Sequence, residues 1–195
     1  MVSRPKGIFL FLWRYVMKNG KSILKMVLSA LFLALSYVLP FLTGQIPEIG
    51  SMLCPMHIPV LLCGFVCGWP WGLAVGAIAP IFRSLMTGGF PPLFPTAVCM
   101  AFELAVYGTV SGLMYKRLKS RKWGLMLSLL IAMLAGRAVW GIVMFAVMGF
   151  SGGSFGFGAF IAGAFTNALP GIALQIVAVP LLVIVLEKVL GRKLN

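Results

Sequence analysis

Carboxylates are nearly missing from this 195-residue chain: there are three, Glu48, Glu103 and Glu187, against sixteen Lys and Arg. Metal-assisted phosphoryl chemistry needs clustered acids, and three acids this far apart exclude a phosphotransferase or phosphatase. Histidine is scarcer still. Gly149-Phe150-Ser151-Gly152-Gly153 has the spacing of a serine nucleophile, but the single His57 lies far upstream on a different apolar stretch. That leaves the serine without a base, and no enzyme is expected. Four cysteines, all in or beside apolar runs, give no disulfide framework. Cys54, His57, Cys63 and Cys67 form a loose series that fits no zinc spacing, so no metal is expected. A Gly-x-x-x-x-Gly-Lys phosphate loop is also missing, and no nucleotide or other cofactor is expected. Charge as a whole is short, at 10% of residues with 61% hydrophobic, against roughly a quarter charged in soluble domains. An ordinary soluble protein is excluded.

What is present is a series of apolar runs. A span needs about 20 apolar residues, so the chain holds six with brief loops and no room for a nucleotide-binding domain. The expected spans are about Ile23 to Leu42, His57 to Gly68, a third to Met86, Phe94 to Tyr115, Trp123 to Met148, and a sixth reaching Glu187 with Pro170 and Pro180 inside it. The second is too short to cross unless protein shields its ends. Residues 1–22 are expected to be retained as a basic segment lying in the membrane interface, with Phe9, Phe11, Trp13 and Tyr15 among its cations. Residues 23–190 then form the membrane domain and 191–195 a tail.

The cations of this formally +13 chain are clumped between apolar runs, which excludes nucleic-acid binding and matches cytoplasmic loops. The N-terminal segment, the cluster Lys116, Arg117, Lys119, Arg121 and Lys122, and the tail hold nearly all of them. An even number of spans puts all three on one side. The fold class expected is therefore an all-α integral membrane protein of six transmembrane helices with both termini cytoplasmic. The opposite loops, Thr43 to Met56, Thr87 to Leu93 and Gly149 to Gly158, are rich in Gly, Pro and Phe. That composition suits a structured lid over a cavity better than a solvated linker, although a short irregular loop would look similar.

Ionisable groups inside spans carry most of the remaining information, because burying one in a bilayer costs several kcal/mol, on the order of 3 or more, unless it is paired or faces a polar cavity. Arg83 lies near the outer end of the third span. Glu103 is roughly 13 Å below the outer end of the fourth and Arg137 roughly 16 Å from that of the fifth. Asn167 on the sixth falls near the depth of Glu103, and Gln175 follows it. These residues point to an outward-open polar pocket. Two readings stand side by side: Glu103 and Arg137 pair with each other to hold two helices together, or they contact a ligand. Arg83 either snorkels to the interface or receives an anionic group in its guanidinium fork.

At this point the chain resembles the substrate-binding subunits, or S components, of energy-coupling factor (ECF) vitamin transporters. The likeness is carried by Ala30-Leu31-Phe32-Leu33-Ala34 in the first span, His57-Ile58-Pro59-Val60, Gly64-Phe65-Val66-Cys67-Gly68-Trp69-Pro70-Trp71-Gly72-Leu73-Ala74-Val75-Gly76, Gly89-Phe90-Pro91-Pro92-Leu93-Phe94-Pro95 and Glu103-Leu104-Ala105-Val106-Tyr107-Gly108. It implies capture of a small water-soluble vitamin on the extracellular side of a bacterial or archaeal plasma membrane. It implies as partners a transmembrane coupling subunit (T component), two cytoplasmic ATPases and the lipid bilayer. It also implies that Ala30 and Ala34 dock on the coupling subunit, with Ser29 widening their flat strip, whereas small residues four apart also serve ordinary packing. Two arginines against one glutamate favour a carboxylate-bearing substrate such as pantothenate, with Arg83, Glu103, Arg137 and Asn167 as substrate-binding residues. A small membrane scaffold without a transported ligand, or a solitary transporter, is the alternative.

Overall fold

The computed structural model describes residues 6–43, 52–150, 156–166 and 168–189, with side chains before residue 22 outside the description. Seven α-helices make up the described chain: α1 Lys6–Val38, α2 His57–Cys67, α3 Trp69–Met86, α4 Val98–Leu118, α5 Gly124–Phe150, α6 Phe157–Ile161 and α7 Leu169–Val189. Helix α1 continues without a break across the expected boundary at residue 22 and ends in a 3₁₀ turn, Leu39–Thr43.

Four stretches are long and apolar enough to cross a membrane: Ser22–Phe41, Leu93–Leu118, Gly124–Phe150 and Leu169–Val189. Of the six expected spans, α2 and α3 fall outside that set for identifiable reasons. Helix α2 has 11 residues, about 16 Å of rise against a hydrocarbon core of about 30 Å. Helix α3 has 18 residues, but Pro70, Gly72, Gly76, Pro80 and Arg83 dilute its apolar character.

The sixth expected span is interrupted. Helix α6 gives way to a π-helical turn, Ala162–Thr166, and α7 starts afresh at Leu169. Pro170 lacks the N–H that an unbroken helix would need, and at the second position of α7 that lack is harmless.

The polarity of the bundle is that of a lipid-embedded protein. Buried polar residues include Ser29, His57, Arg83, Glu103, Ser111, Ser128, Arg137 and Gln175, while Leu134, Ile142, Phe145 and Val177 are each more than 60% exposed. In water that distribution would expose a large apolar surface; in a bilayer it keeps these polar groups out of the lipid.

Helix α2 occupies the centre, with all its residues except Ile58 buried, and it packs on α1, α3, α4 and α7. A single residue joins it to α3. Gly68 adopts φ 98°, ψ 169°, a conformation open to glycine because it has no Cβ, and the chain reverses there. Gly64 and Gly72, equidistant from the turn, both back onto Gly108 of α4, and Gly76 backs onto Leu104. A Cβ on any of the three would overlap the α4 backbone, so these glycines set how closely α2 and α3 approach α4.

From residue 22 on, helix α1 buries one stripe. Ser29, Phe32, Ser36 and Pro40 face the bundle, and Val27, Ala30, Leu31, Ala34, Leu35 and Val38 face outward. Ser29 therefore does not widen the alanine strip. Its hydroxyl donates to the Lys25 carbonyl at 2.7 Å and receives the Cys63 thiol at 3.6 Å. At the opposite end of the bundle from Arg83, the Tyr115 hydroxyl on α4 donates to Glu187 on α7 at 2.8 Å.

Candidate functional site

Three helices bring ionisable side chains to one point inside the bundle. Glu103 on α4 is 1% exposed, and its Oε1 lies 3.1 Å from Arg137 Nη1 on α5. The same oxygen lies 3.6 Å from His57 Nε2, at the first position of α2. Tyr107, one turn after Glu103, crosses the imidazole edge-on with ring centroids 5.4 Å apart. Arg137 Nη2 also donates to the Cys54 sulfur at 3.7 Å. Gly136 gives the Tyr107 ring its room, since a Cβ there would overlap the ring edge.

The arrangement neutralises charge in a medium that cannot hydrate it. Removing one member of a buried ion pair typically costs about 3–5 kcal/mol because the other is stranded. The cluster is thus a joint between α4 and α5, as the pairing alternative expected. It is also unsaturated. Among the described residues, His57 Nδ1 and Arg137 Nε, and on α7 both amide atoms of Gln175, are buried with no hydrogen-bond partner. Buried polar atoms are normally satisfied, and each one left over costs about 1–3 kcal/mol. So many in one bundle call for a partner that the described side chains do not provide.

Arg83 stands apart. It is 5% exposed, its guanidinium lies 5.8 Å from the centroid of Phe90, and its Nε has no hydrogen-bond partner among the described residues. No carboxylate there comes within ion-pair distance of it. Burial argues against the snorkelling alternative. Its backbone carbonyl caps the end of α3, receiving the Thr87 N–H at 3.0 Å and the Thr87 hydroxyl at 2.8 Å.

Of the expected substrate-binding residues, Glu103 and Arg137 are brought together and Arg83 is not. Asn167 lies outside the described residues. Parts of the expected lid, residues 44–51 with Glu48 and residues 151–155 with Ser151, are outside them too. Among the described residues, Glu103, Arg137 and His57 are each buried where they meet. The sequence reading missed His57 and Tyr107 as members. The signal for Tyr107 was its position four residues after a buried glutamate, on the same helical face. The metal-like series is split, with His57 in the cluster and Cys63 against Ser29. Ala30 and Ala34 lie on the exposed face of α1.

The model of one protein family, described as ECF transporter, substrate-specific component, matches residues 24–183. No curated protein and no solved structure matches the chain.

Proposed function

The chain belongs to the substrate-specific components of ECF transporters, and from that premise we propose that it captures a small water-soluble vitamin or vitamin precursor at the outer face of a bacterial or archaeal plasma membrane. It hands that molecule to a transmembrane coupling subunit powered by two cytoplasmic ATPases. In this reading α2 and α3 complete six spans with the four long ones, and the basic connection 116–122 and both termini are cytoplasmic. The exposed face of α1, with Ala30 and Ala34, receives the coupling subunit.

The observation that carries the ligand class is Arg83, a buried guanidinium with no carboxylate beside it among the described residues. Arg137 is already committed to Glu103 at 3.1 Å. A carboxylate on the ligand would complete Arg83 with charge-assisted hydrogen bonds, which favours a molecule such as pantothenate. Glu103, Arg137 and Asn167 then shape the deeper part of the site.

The test is a thermal-shift screen of vitamins on the purified subunit, followed by calorimetry. Arg83→Ala should weaken binding by about 1.5 to 3 kcal/mol, roughly ten- to a hundredfold, without preventing folding. If no vitamin stabilises the protein, it is an accessory subunit instead. Co-purification of ATPase subunits distinguishes a transport module from a solitary carrier.

A further inference from the structure

The connection between α4 and α5 carries five cations in seven residues, Lys116, Arg117, Lys119, Arg121 and Lys122. Lys116, Arg117, Arg121 and Lys122 are exposed, and Lys119 is half-buried with its Nζ 6.0 Å from the centroid of the Tyr115 ring. Two backbone hydrogen bonds close the turn: the Arg121 N–H donates to the Leu118 carbonyl at 2.9 Å, and the Gly124 N–H to the Arg121 carbonyl at 3.0 Å. A Cβ at Gly124 would overlap that same Leu118 carbonyl, so the turn is as tight as glycine allows. The backbone of Arg121 and Lys122 is thereby fixed at the head of α5. Glu187 is the acid at this end among the described residues, and its carboxylate already accepts from the Tyr115 hydroxyl at 2.8 Å. No carboxylate among the described residues comes within ion-pair distance of Arg121 or Lys122.

Directly after these cations an apolar strip begins. The Leu127 N–H donates to the Trp123 carbonyl at 2.9 Å, so Trp123 already belongs to the first helical turn of α5. Trp123, Leu127, Leu130 and Leu134 follow the i, i+4, i+7, i+11 spacing of a single helical face. All four are exposed, Trp123 at 71%. From Trp123 to Leu134 the strip is about 16 Å long, close to half of a hydrocarbon core of about 30 Å. Cations, then an aromatic ring, then one leaflet's depth of leucines match an anionic phospholipid group by group: phosphate, ester level and acyl chain. A free phosphate would use the cations alone. An acidic protein surface would set its charges against the leucines, at a desolvation cost that a lipid avoids.

We propose that the α4–α5 turn and the exposed strip of α5 form a binding site for an anionic phospholipid. Its phosphate rests on Arg121 and Lys122, its ester level lies against the Trp123 indole, and an acyl chain runs along Leu127, Leu130 and Leu134. The bound lipid holds the turn at the bilayer surface and so sets the depth of α5. The proposal needs the chain to be embedded in a bilayer, and it is independent of which molecule the subunit captures and of which way it faces.

The experiment uses the full chain in a neutral detergent, titrated with phosphatidylglycerol, phosphatidylcholine or inorganic phosphate and read by native mass spectrometry and thermal midpoint. Each cation close to an anionic surface adds roughly fivefold in affinity. Wild type should therefore prefer phosphatidylglycerol over phosphatidylcholine by at least about tenfold, and Arg121→Gln combined with Lys122→Gln should bring that preference to within about twofold of none. Trp123→Ala should weaken both phospholipids alike. Arg121→Gln alone should lower the preference about fivefold, whereas Lys188→Gln, which removes one cation from a different helix, should leave it unchanged. Equal binding of the two phospholipids by wild type, an unchanged preference in the double variant, or a loss in Lys188→Gln as large as in Arg121→Gln would overturn the proposal. Stabilisation by inorganic phosphate as strong as by phosphatidylglycerol would also overturn it, in favour of a free-anion site. So would loss of the ATPase subunits from the double variant on co-purification while its lipid preference persists, in favour of a protein-docking surface.

Discussion

Helices α1 and α2 are both strongly apolar, yet one is buried along a single stripe and the other on nearly every side. Helix α1 is long enough to span and offers Val27, Ala30, Leu31 and Ala34 to its surroundings. Helix α2 is too short to span and offers almost nothing. Apolarity alone therefore says little about what a membrane helix touches. Small residues show the same contrast: Gly64 in α2 lies against Ser111 and the Gly108 backbone, whereas Ala30 and Ala34 in α1 meet no part of the described bundle closely enough to be buried. The first kind of small residue holds the fold together, and the second is available to a partner.

Enlarging residues on the two helices puts this contrast to the test. Gly64→Leu should have the largest effect, because its side chain would enter the α4 backbone, which cannot move aside. No folded, monodisperse subunit should be recovered by size-exclusion chromatography. Next comes Arg137→Met, which strands the buried Glu103 at the head of α2 and should cost about 3–5 kcal/mol, read as a large fall in thermal midpoint. Ser29→Ala, on the buried stripe of α1, removes a hydroxyl that contacts Cys63 and should cost about 1 kcal/mol. Ala34→Trp, on the open stripe, should shift stability by no more than about 0.5 kcal/mol. Vitamin uptake in cells should nevertheless fail in that last variant while binding to the isolated subunit survives. Normal uptake by Ala34→Trp would make α1's open face a lipid surface and nothing more.

Helix placement was largely legible in the sequence because hydropathy and chain punctuation act locally. Gly68 before Trp69-Pro70, the Thr87-Gly88-Gly89 stop and the cationic run after Leu118 each mark an end without reference to the rest of the fold. The interruption before Leu169 was not anticipated, since the residues around Asn167 and Pro170 also suit a continuous apolar run. In the site, the opposite charges of Glu103 and Arg137 and their similar depths announced the pair. His57 was obscure for a different reason: its partner is 46 positions later in the chain (from 57 to 103), and only the register of α2 on α4 brings them together. That register is written in Gly64, Gly72, Gly76 and Gly108, which a hydropathy reading treats as featureless.

The one-residue joint at Gly68 has a bearing on how the protein enters its membrane. Eleven residues of α2 cannot hold a position across a bilayer by themselves, and α3 carries an arginine that resists partitioning into lipid. Linked by a single glycine, the two form one hairpin, and the helix that receives it is α4, whose small residues form the matching surface. The α4 side of the central helix is therefore covered by a segment synthesised after it, so the hairpin reaches its final packing only once α4 has been made.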